Sequence, residues 1–215
     1  MDLNQISINT FNDLADLYQE KYFHLQEYNA SYAIFCQSVL KSGAEVLELG
    51  CGPGNITKYL LTKRPDFQML ATDAAPKMTE LAKKNNPTAS VQVLDARQLG
   101  ALSQKFDAIV MGFCLPYLGK EDVEHLFEHA YSLLNDNGVI YLSTIEGEYD
   151  KSALLTSPNT GRAAYTYYYD EGLLKSLYGS SRFEAVYTGR VRLNLPNDPD
   201  NTDLIIILRK TPKLL

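Results

Sequence analysis

The chain has no tryptophan, and only three histidines and three cysteines in 215 residues. Cys36, Cys51 and Cys114 form no CxxC pair and no Cys/His ligand spacing. That argues against a zinc module or a disulfide framework and suits reduced thiols in a cytosolic protein. The first ten residues, MDLNQISINT, lack a basic stretch followed by an apolar run, so no secretory signal is expected. Long hydrophobic runs are missing too. Leu204 to Leu208 is the longest near the end, far short of the ~20 residues that span a bilayer. A cytoplasmic protein without a membrane segment is therefore expected. Basic charge is sparse: 20 Lys and Arg face 26 Asp and Glu, a formal net charge of −6, and the pI is about 5.1. Away from the C-terminus the densest basic cluster is Arg182, Arg190 and Arg192. Such a surface repels a phosphate backbone, so nucleic acid is not an expected partner.

What remains is ordinary for a soluble globular chain, with 45% hydrophobic and 21% charged residues. The length suits one compact α/β unit. Tyrosine is the exception: there are 15, four of them within residues 165–169. Residues 1–42 have helical character. Phe11, Leu14, Ala15, Leu17 and Tyr18 recur at helical spacing, and residues 31–40 do the same. We read 1–42 as an N-terminal helical cap, placed over one edge of the molecule or as a lid, and 43–215 as the main domain, with an insertion at 149–169.

From residue 46 strands and helices alternate. Strands are expected at 46–49, 67–71, 91–94, 106–111 and 139–144, and helices at 55–63, 76–86 and 121–134, with Asn137–Gly138 as a turn. Near-continuous apolar strands such as AIVMG (108–112) imply burial on both faces, as in a parallel sheet covered by helices. The tail breaks the pattern. A helix follows Asp170, a good N-cap. Two strands, about 183–193 and 203–210, are joined by LPNDPD (195–200), too short for a crossover helix. They must pair antiparallel.

The most informative stretch is VLELGCGPGN (46–55): a strand, then Gly50, Gly52 and Gly54 at alternate positions, with Glu48 before them. Absent Cβ atoms let a ligand lie against backbone, and the following helix offers free N–H groups to a carboxylate or phosphate. A nicotinamide-binding turn would prefer GxGxxG. In open α/β sheets the ligand lies beyond the strand C-termini. The second strand ends at Asp73, 19 residues past Gly54, where a carboxylate can accept from both ribose hydroxyls. The third ends at Asp95-Ala96, which can accept from an adenine amino group and donate to a ring nitrogen. A strand-terminal Asp is also a common turn former; the ordered set is what points to a nucleoside ligand.

On these stretches, with LATDAAPKMTELAKK (70–84), VLDARQL (93–99), FDAIVMGFCLPYL (106–118) and LLNDNGVIYLSTIEG (133–147), the chain resembles the class I S-adenosylmethionine-dependent methyltransferases over about half its length. The resemblance implies a Rossmann-like three-layer α/β sandwich, with a seven-stranded, mostly parallel sheet and an antiparallel last strand. It implies S-adenosylmethionine as cofactor and S-adenosylhomocysteine as product. Gly50, Gly52 and Gly54, with Cys51 and Asn55, would shape the methionine pocket, and Glu48 would hold that turn and the ligand's amino group. Asp73 would take the ribose, with Ala74 and Met78 beside it. Asp95, Ala96 and Arg97 would frame the adenine, and Gly112 and Phe113 would back the methionine end. Tyr18 and Tyr22 would cover the cofactor, core packing being the alternative. Where base- and amide-methylating relatives carry an Asn/Asp-Pro-Pro-aromatic box, this chain has Cys114-Leu115-Pro116-Tyr117. That favours a small-molecule acceptor over a DNA base.

The expected function is methyl transfer to a small molecule by in-line displacement. An NAD-dependent oxidoreductase and a non-catalytic cofactor-binding protein are the alternatives. Methyl transfer from a sulfonium requires alignment and exclusion of water, and a base only if the nucleophile must lose a proton; the sequence nominates no catalytic residue. His125 and His129 sit at i, i+4, but off the apolar stripe and among acids, so a solvated face is expected rather than a metal site. Tyr165, Tyr167 and Tyr169 alternate as in an edge strand with one half-buried face; the functional reading is an aromatic wall for a flat or cationic substrate.

Overall fold

The computed structural model describes residues 2–179, 182–193 and 201–211. Three helices come first: α1 (Leu3–Asp13), α2 (Ala15–Tyr22) and α3 (Asn29–Ser38). Then follow β1 (Glu45–Leu49), α4 (Asn55–Lys63), β2 (Gln68–Asp73), α5 (Pro76–Asn85), β3 (Ser90–Val93), β4 (Phe106–Gly112), α6 (Lys120–Leu133) and β5 (Leu134–Ile145). The tail holds a small hairpin, β6 (Ala153–Thr156) and β7 (Ala163–Thr166), then α7 (Glu171–Tyr178), β8 (Phe183–Arg192) and β9 (Thr202–Lys210). The main sheet has seven strands in the order β3-β2-β1-β4-β5-β9-β8. β1 to β5 run parallel, and β9 is antiparallel to both β5 and β8. This is the expected mostly parallel, Rossmann-like architecture with a reversed last strand. The LPNDPD link lies outside the described residues.

Alternation along the strands explains the three layers. Leu47, Leu49, Ile109, Met111, Ile140, Leu142 and Ile206 bury one sheet face against Val123, Leu126 and Phe127 of α6 and Leu174 of α7. Val46, Met69, Ala108, Val110, Tyr141, Ile205 and Ile207 bury the other against Tyr32 and Phe35 of α3 and Ile56 and Leu60 of α4. Each such aliphatic side chain contributes roughly 1.5–3 kcal/mol of burial. Helix ends follow local chemistry. Pro76 opens α5, where its missing N–H has no intrahelical partner to lose. The Asp170 carboxylate caps α7 by accepting from the Leu173 N–H.

Two local features differ from the sequence reading. β5 starts at Leu134, so Asn137 and Gly138 lie inside an irregular strand and not before it; the register with β4 jumps there and Asn137 has φ 60°. β7 ends at Thr166, before Tyr167 and Tyr169. Tyr169 is fully buried in the main core and its hydroxyl donates to the Leu118 carbonyl at 2.5 Å. A buried polar anchor thus ends the alternation that an edge strand would have continued.

The three N-terminal helices do different things. α3 packs on the sheet and contributes Tyr32 and Phe35 to the core. α1 lies over the C-terminal ends of the strands, tied down on several sides. Its Thr10 hydroxyl donates to the Ala163 carbonyl at 2.6 Å, its Asn4 amide to the Tyr117 carbonyl at 2.8 Å, and Asn12 accepts from the Lys77 N–H at 3.0 Å. Among the described residues, no helix is long and apolar enough to cross a membrane.

Candidate functional site

At the C-terminal end of β1 the chain must turn sharply into α4. Gly50, Gly52 and Gly54 all take positive φ, 67°, 53° and 85°, a region that L side chains avoid. The three are required for different reasons. A Cβ on Gly50 would come within 2.8 Å of the Cys114 Cβ, and one on Gly54 within 2.3 Å of the Asn86 amide. A Cβ on Gly52 would meet only a Tyr18 ring carbon, at 3.7 Å. Gly52 is therefore the position that presents bare backbone to open space, with the Tyr18 ring facing it.

Asp73, the last residue of β2, clasps this turn. Its carboxylate accepts from the Gly52 N–H and the Ala75 N–H, both at 2.8 Å. Burial raises its pKa, and the two N–H groups partly offset that. Each oxygen retains a lone pair for a further donor. Beyond β3, Asp95 accepts from the Arg97 N–H at 2.9 Å and forms an ion pair with the Arg97 guanidinium at 2.7 Å. Beyond β4, Phe113 takes φ 54°, a strained value for a bulky residue. Its N–H donates to the Ser143 carbonyl at 3.1 Å, and its ring meets Tyr28 edge-on at 5.2 Å.

These strand ends border one cleft, lined from α1 and from the segments that follow β1, β2, β3 and β4. Ten residues singled out in the sequence line it: Gly50, Gly52, Asp73, Ala74, Met78, Asp95, Ala96, Gly112, Phe113 and Tyr18. Six others lie outside the lining. Glu48 is buried beneath the turn, where Thr57 bonds its carboxyl. Cys51 is buried, with its N–H on the Thr72 carbonyl. Gly54 caps α4 and Asn55 begins it. Arg97 is turned onto Asp95 and Asp2. Tyr22 stands behind Tyr18, ring to ring at 4.6 Å.

A lid was one expected placement for residues 1–42, but the α1 residues that form it were not singled out. Asn4, Ser7, Ile8 and Phe11 of α1 line the cleft, and so do Cys114, Tyr117 and Leu118 after β4. The i, i+3 pair Ile8 and Phe11 is the local signal that could have marked a docking face. His125 and His129 are exposed on α6, and among the described residues no group of three or more His, Cys, Asp or Glu is arranged to hold a metal.

Electrostatically the cleft favours binding over proton transfer. Burial pushes the Cys114 thiol up to about 12, so it stays protonated and is a poor nucleophile at neutral pH. Burial and neighbouring phenols push Tyr18 and Tyr117 well above the usual tyrosine range. The cleft offers bare backbone at Gly52 and, on Asp73, carboxylate lone pairs left for further donors.

Residues 46–138 match the methyltransferase domain family. The malonyl-[acyl-carrier protein] O-methyltransferase of Acetivibrio thermocellus is 32% identical over 57% of this chain and 42% of its own length. The trans-aconitate 2-methyltransferase of Variovorax paradoxus is 30% identical over 47% and 38%. The chain thus spans less than half the length of these curated relatives. Among solved structures, the magnesium protoporphyrin IX methyltransferase of Synechocystis with bound S-adenosylmethionine superposes with a TM-score of 0.73, at 16% identity, covering 98% of each chain. A methyltransferase from Methanosarcina mazei gives 0.70, at 20% identity, covering 83% of this chain and 98% of that one. At these identities the likeness is one of fold.

Proposed function

We propose that this chain, whose residues 46–138 match the methyltransferase domain family, is a class I S-adenosylmethionine-dependent methyltransferase that binds S-adenosylmethionine in the cleft and transfers its methyl group to a small-molecule acceptor. The observation that carries this reading is Asp73: one carboxylate at the end of β2, fixed by the N–H of Gly52 and by Ala75, in the wall of the cleft that the glycine turn opens.

The residues present fit that cofactor. Gly52 and the facing Tyr18 ring leave a slot of bare backbone. The first N–H groups of α4 lie at its end, suited to a carboxylate. The free lone pairs of Asp73 suit a vicinal diol, and Asp95 with the Ala96 backbone suits an amino-heterocycle. When bound, the cofactor supplies an electrophilic methyl group on a sulfonium. The protein's own part is to bind, to orient and to exclude water. Phe113, held in its strained conformation by Ser143, fixes the floor. Phe11 and Tyr18, in edge contact at 5.8 Å, close the roof. Holding two reactants in line supplies much of the rate enhancement such a reaction needs.

The relatives' names include carboxylate-bearing acceptors, trans-aconitate and a malonyl thioester. For this chain the proposal extends to a small molecule. Calorimetry with S-adenosylmethionine, S-adenosylhomocysteine and NAD tests the cofactor. The first two should bind and NAD should not; preferential binding of NAD would overturn the reading. Asp73→Ala should weaken S-adenosylhomocysteine at least about tenfold, the equivalent of ~1.4 kcal/mol. Unchanged affinity would remove Asp73 from the site.

A further inference from the structure

The roof helix α1 is pinned by a carboxylate at each end. Asp2, its N-cap, accepts from the Asn4 and Gln5 N–H groups at 3.1 and 3.4 Å and pairs with the Arg97 guanidinium at 3.1 Å. Arg97 follows β3 and is itself gripped by Asp95 at 2.7 Å. Asp13, the last residue of α1, pairs at 2.7 Å with Arg162, which stands just before β7. This second placement runs against local helix chemistry. A carboxylate in the last turn opposes the partial negative charge of a helix C-terminus, and no basic residue in that turn offsets it. Nor does Asp13 serve the next helix: α2 is N-capped by Leu14 and has no side-chain cap bond. Asp13 is accounted for by Arg162 rather than by either helix.

Both pairs are partly exposed, the side chains at 48% and 27% for Asp2 and Arg97 and at 40% and 54% for Asp13 and Arg162. Exposed ion pairs are individually weak and are screened by salt. Little apolar burial backs them, since Ser7 is the one buried residue of α1. None of the four paired residues lines the cleft, whereas Asn4, Ser7, Ile8 and Phe11, between the two pins, do. A ligand in the cleft would lie under the helix and touch neither pair. Resting on the methyltransferase reading, we propose that α1 is a gate latched at its two ends by Asp2–Arg97 and Asp13–Arg162, and that release of these latches sets how fast the cofactor enters and its product leaves. The latches hold the roof equally with the cleft empty or filled. They therefore govern both rates and leave the equilibrium affinity alone. Lid opening of this kind limits turnover in many enzymes.

The test is surface plasmon resonance with S-adenosylhomocysteine, whose net charge is zero at neutral pH, so that salt acts on the protein rather than on the ligand. Arg162→Gln should raise the association and dissociation rates together, each by about twofold or more, with Kd changed by less than that. Raising sodium chloride from about 20 to about 500 mM should do the same to the wild type, and less to Arg162→Gln. The charge swap Asp13→Arg with Arg162→Asp should return both rates to wild-type values in low salt. Rates that ignore both the substitution and salt would overturn the gate. So would faster dissociation alone with weaker affinity, which marks a pair that stabilises the bound form, and so would a swap that behaves like the single variant. In each case the cofactor assignment stands, because S-adenosylhomocysteine still binds. Failure of S-adenosylhomocysteine to bind the wild type would overturn both.

Discussion

Beneath the glycine turn, the Glu48 carboxyl is bonded by Thr57 and otherwise walled in, so burial pushes its pKa from 4.5 up to about 8. Its proton therefore stays on at neutral pH in the folded protein and comes off in the unfolded chain. Between pH 4.5 and 8 the folded state binds more protons than the unfolded one, so this group's contribution is fully present below pH 4.5 and is lost as pH rises towards 8. Glu48→Gln keeps the shape and removes the titration. Its melting temperature should depend less on pH across that window than the wild type's, and should equal or exceed it at pH 8; parallel curves would show that Glu48 is ionised in the fold. Glu48, Asp73 and Asp95 were legible in the sequence because each ends a strand or precedes the turn, where chain geometry alone brings it near the glycines. Gly54 was legible as a glycine, but its reason was not. It yields to the Asn86 amide, a neighbour 32 residues away.

Among the helices of the roof, α1 is held with little apolar burial. Of its eleven residues only Ser7 is buried. It is held by tethers: Thr10 to Ala163, Asn4 to Tyr117, Ser7 to the Tyr165 backbone at 3.1 Å, and Asp13 to Arg162 at 2.7 Å. A helix with few buried apolar contacts opens at low free energy. The α1 amides should therefore exchange hydrogen faster than those of α6, whose Val123, Leu126, Phe127 and Ala130 are buried, and should slow when S-adenosylhomocysteine is added. Exchange as slow as that of α6 before ligand is added would make α1 a fixed wall. The helix itself was legible from its periodicity. Its docking site was not, because the partners, from Lys77 of α5 to Ala163 and Tyr165 of the hairpin, are distant in sequence and carry no local pattern. The same holds for the tyrosines after residue 164. Their alternation suggested one strand, yet Tyr165 joins a hairpin, Tyr167 stacks on Tyr149 at 5.8 Å, and Tyr169 enters the main core.

Across the whole molecule the sheet dominates stability, and its reversed strand lies deep inside it. Residues 203–208 of β9 are all buried between β5 and β8. Ile206→Ala should cost about 2–5 kcal/mol in urea unfolding, the range for buried aliphatic truncation. Val93→Ala, at the opposite edge and 55% exposed, should stay within about 0.5 kcal/mol. Similar losses at both positions would mean that the difference in burial between them does not set their contribution. The architecture was readable at this scale because buried parallel strands need continuous apolar runs, and a short link between the last two strands leaves only antiparallel pairing.

The placement of α1 has a further consequence, for the order of assembly. Its Ser7 contact with Tyr165 spans 158 residues of chain, so the roof is among the last parts to be fixed, because closing so long a loop must await the sheet that offers the partners. During synthesis the glycine turn, Asp73 and Asp95 emerge well before the hairpin that anchors the roof. Ligand affinity should therefore arise late, and a defect anywhere in residues 153–166 would be felt first as a leaky pocket on an otherwise well-formed sheet.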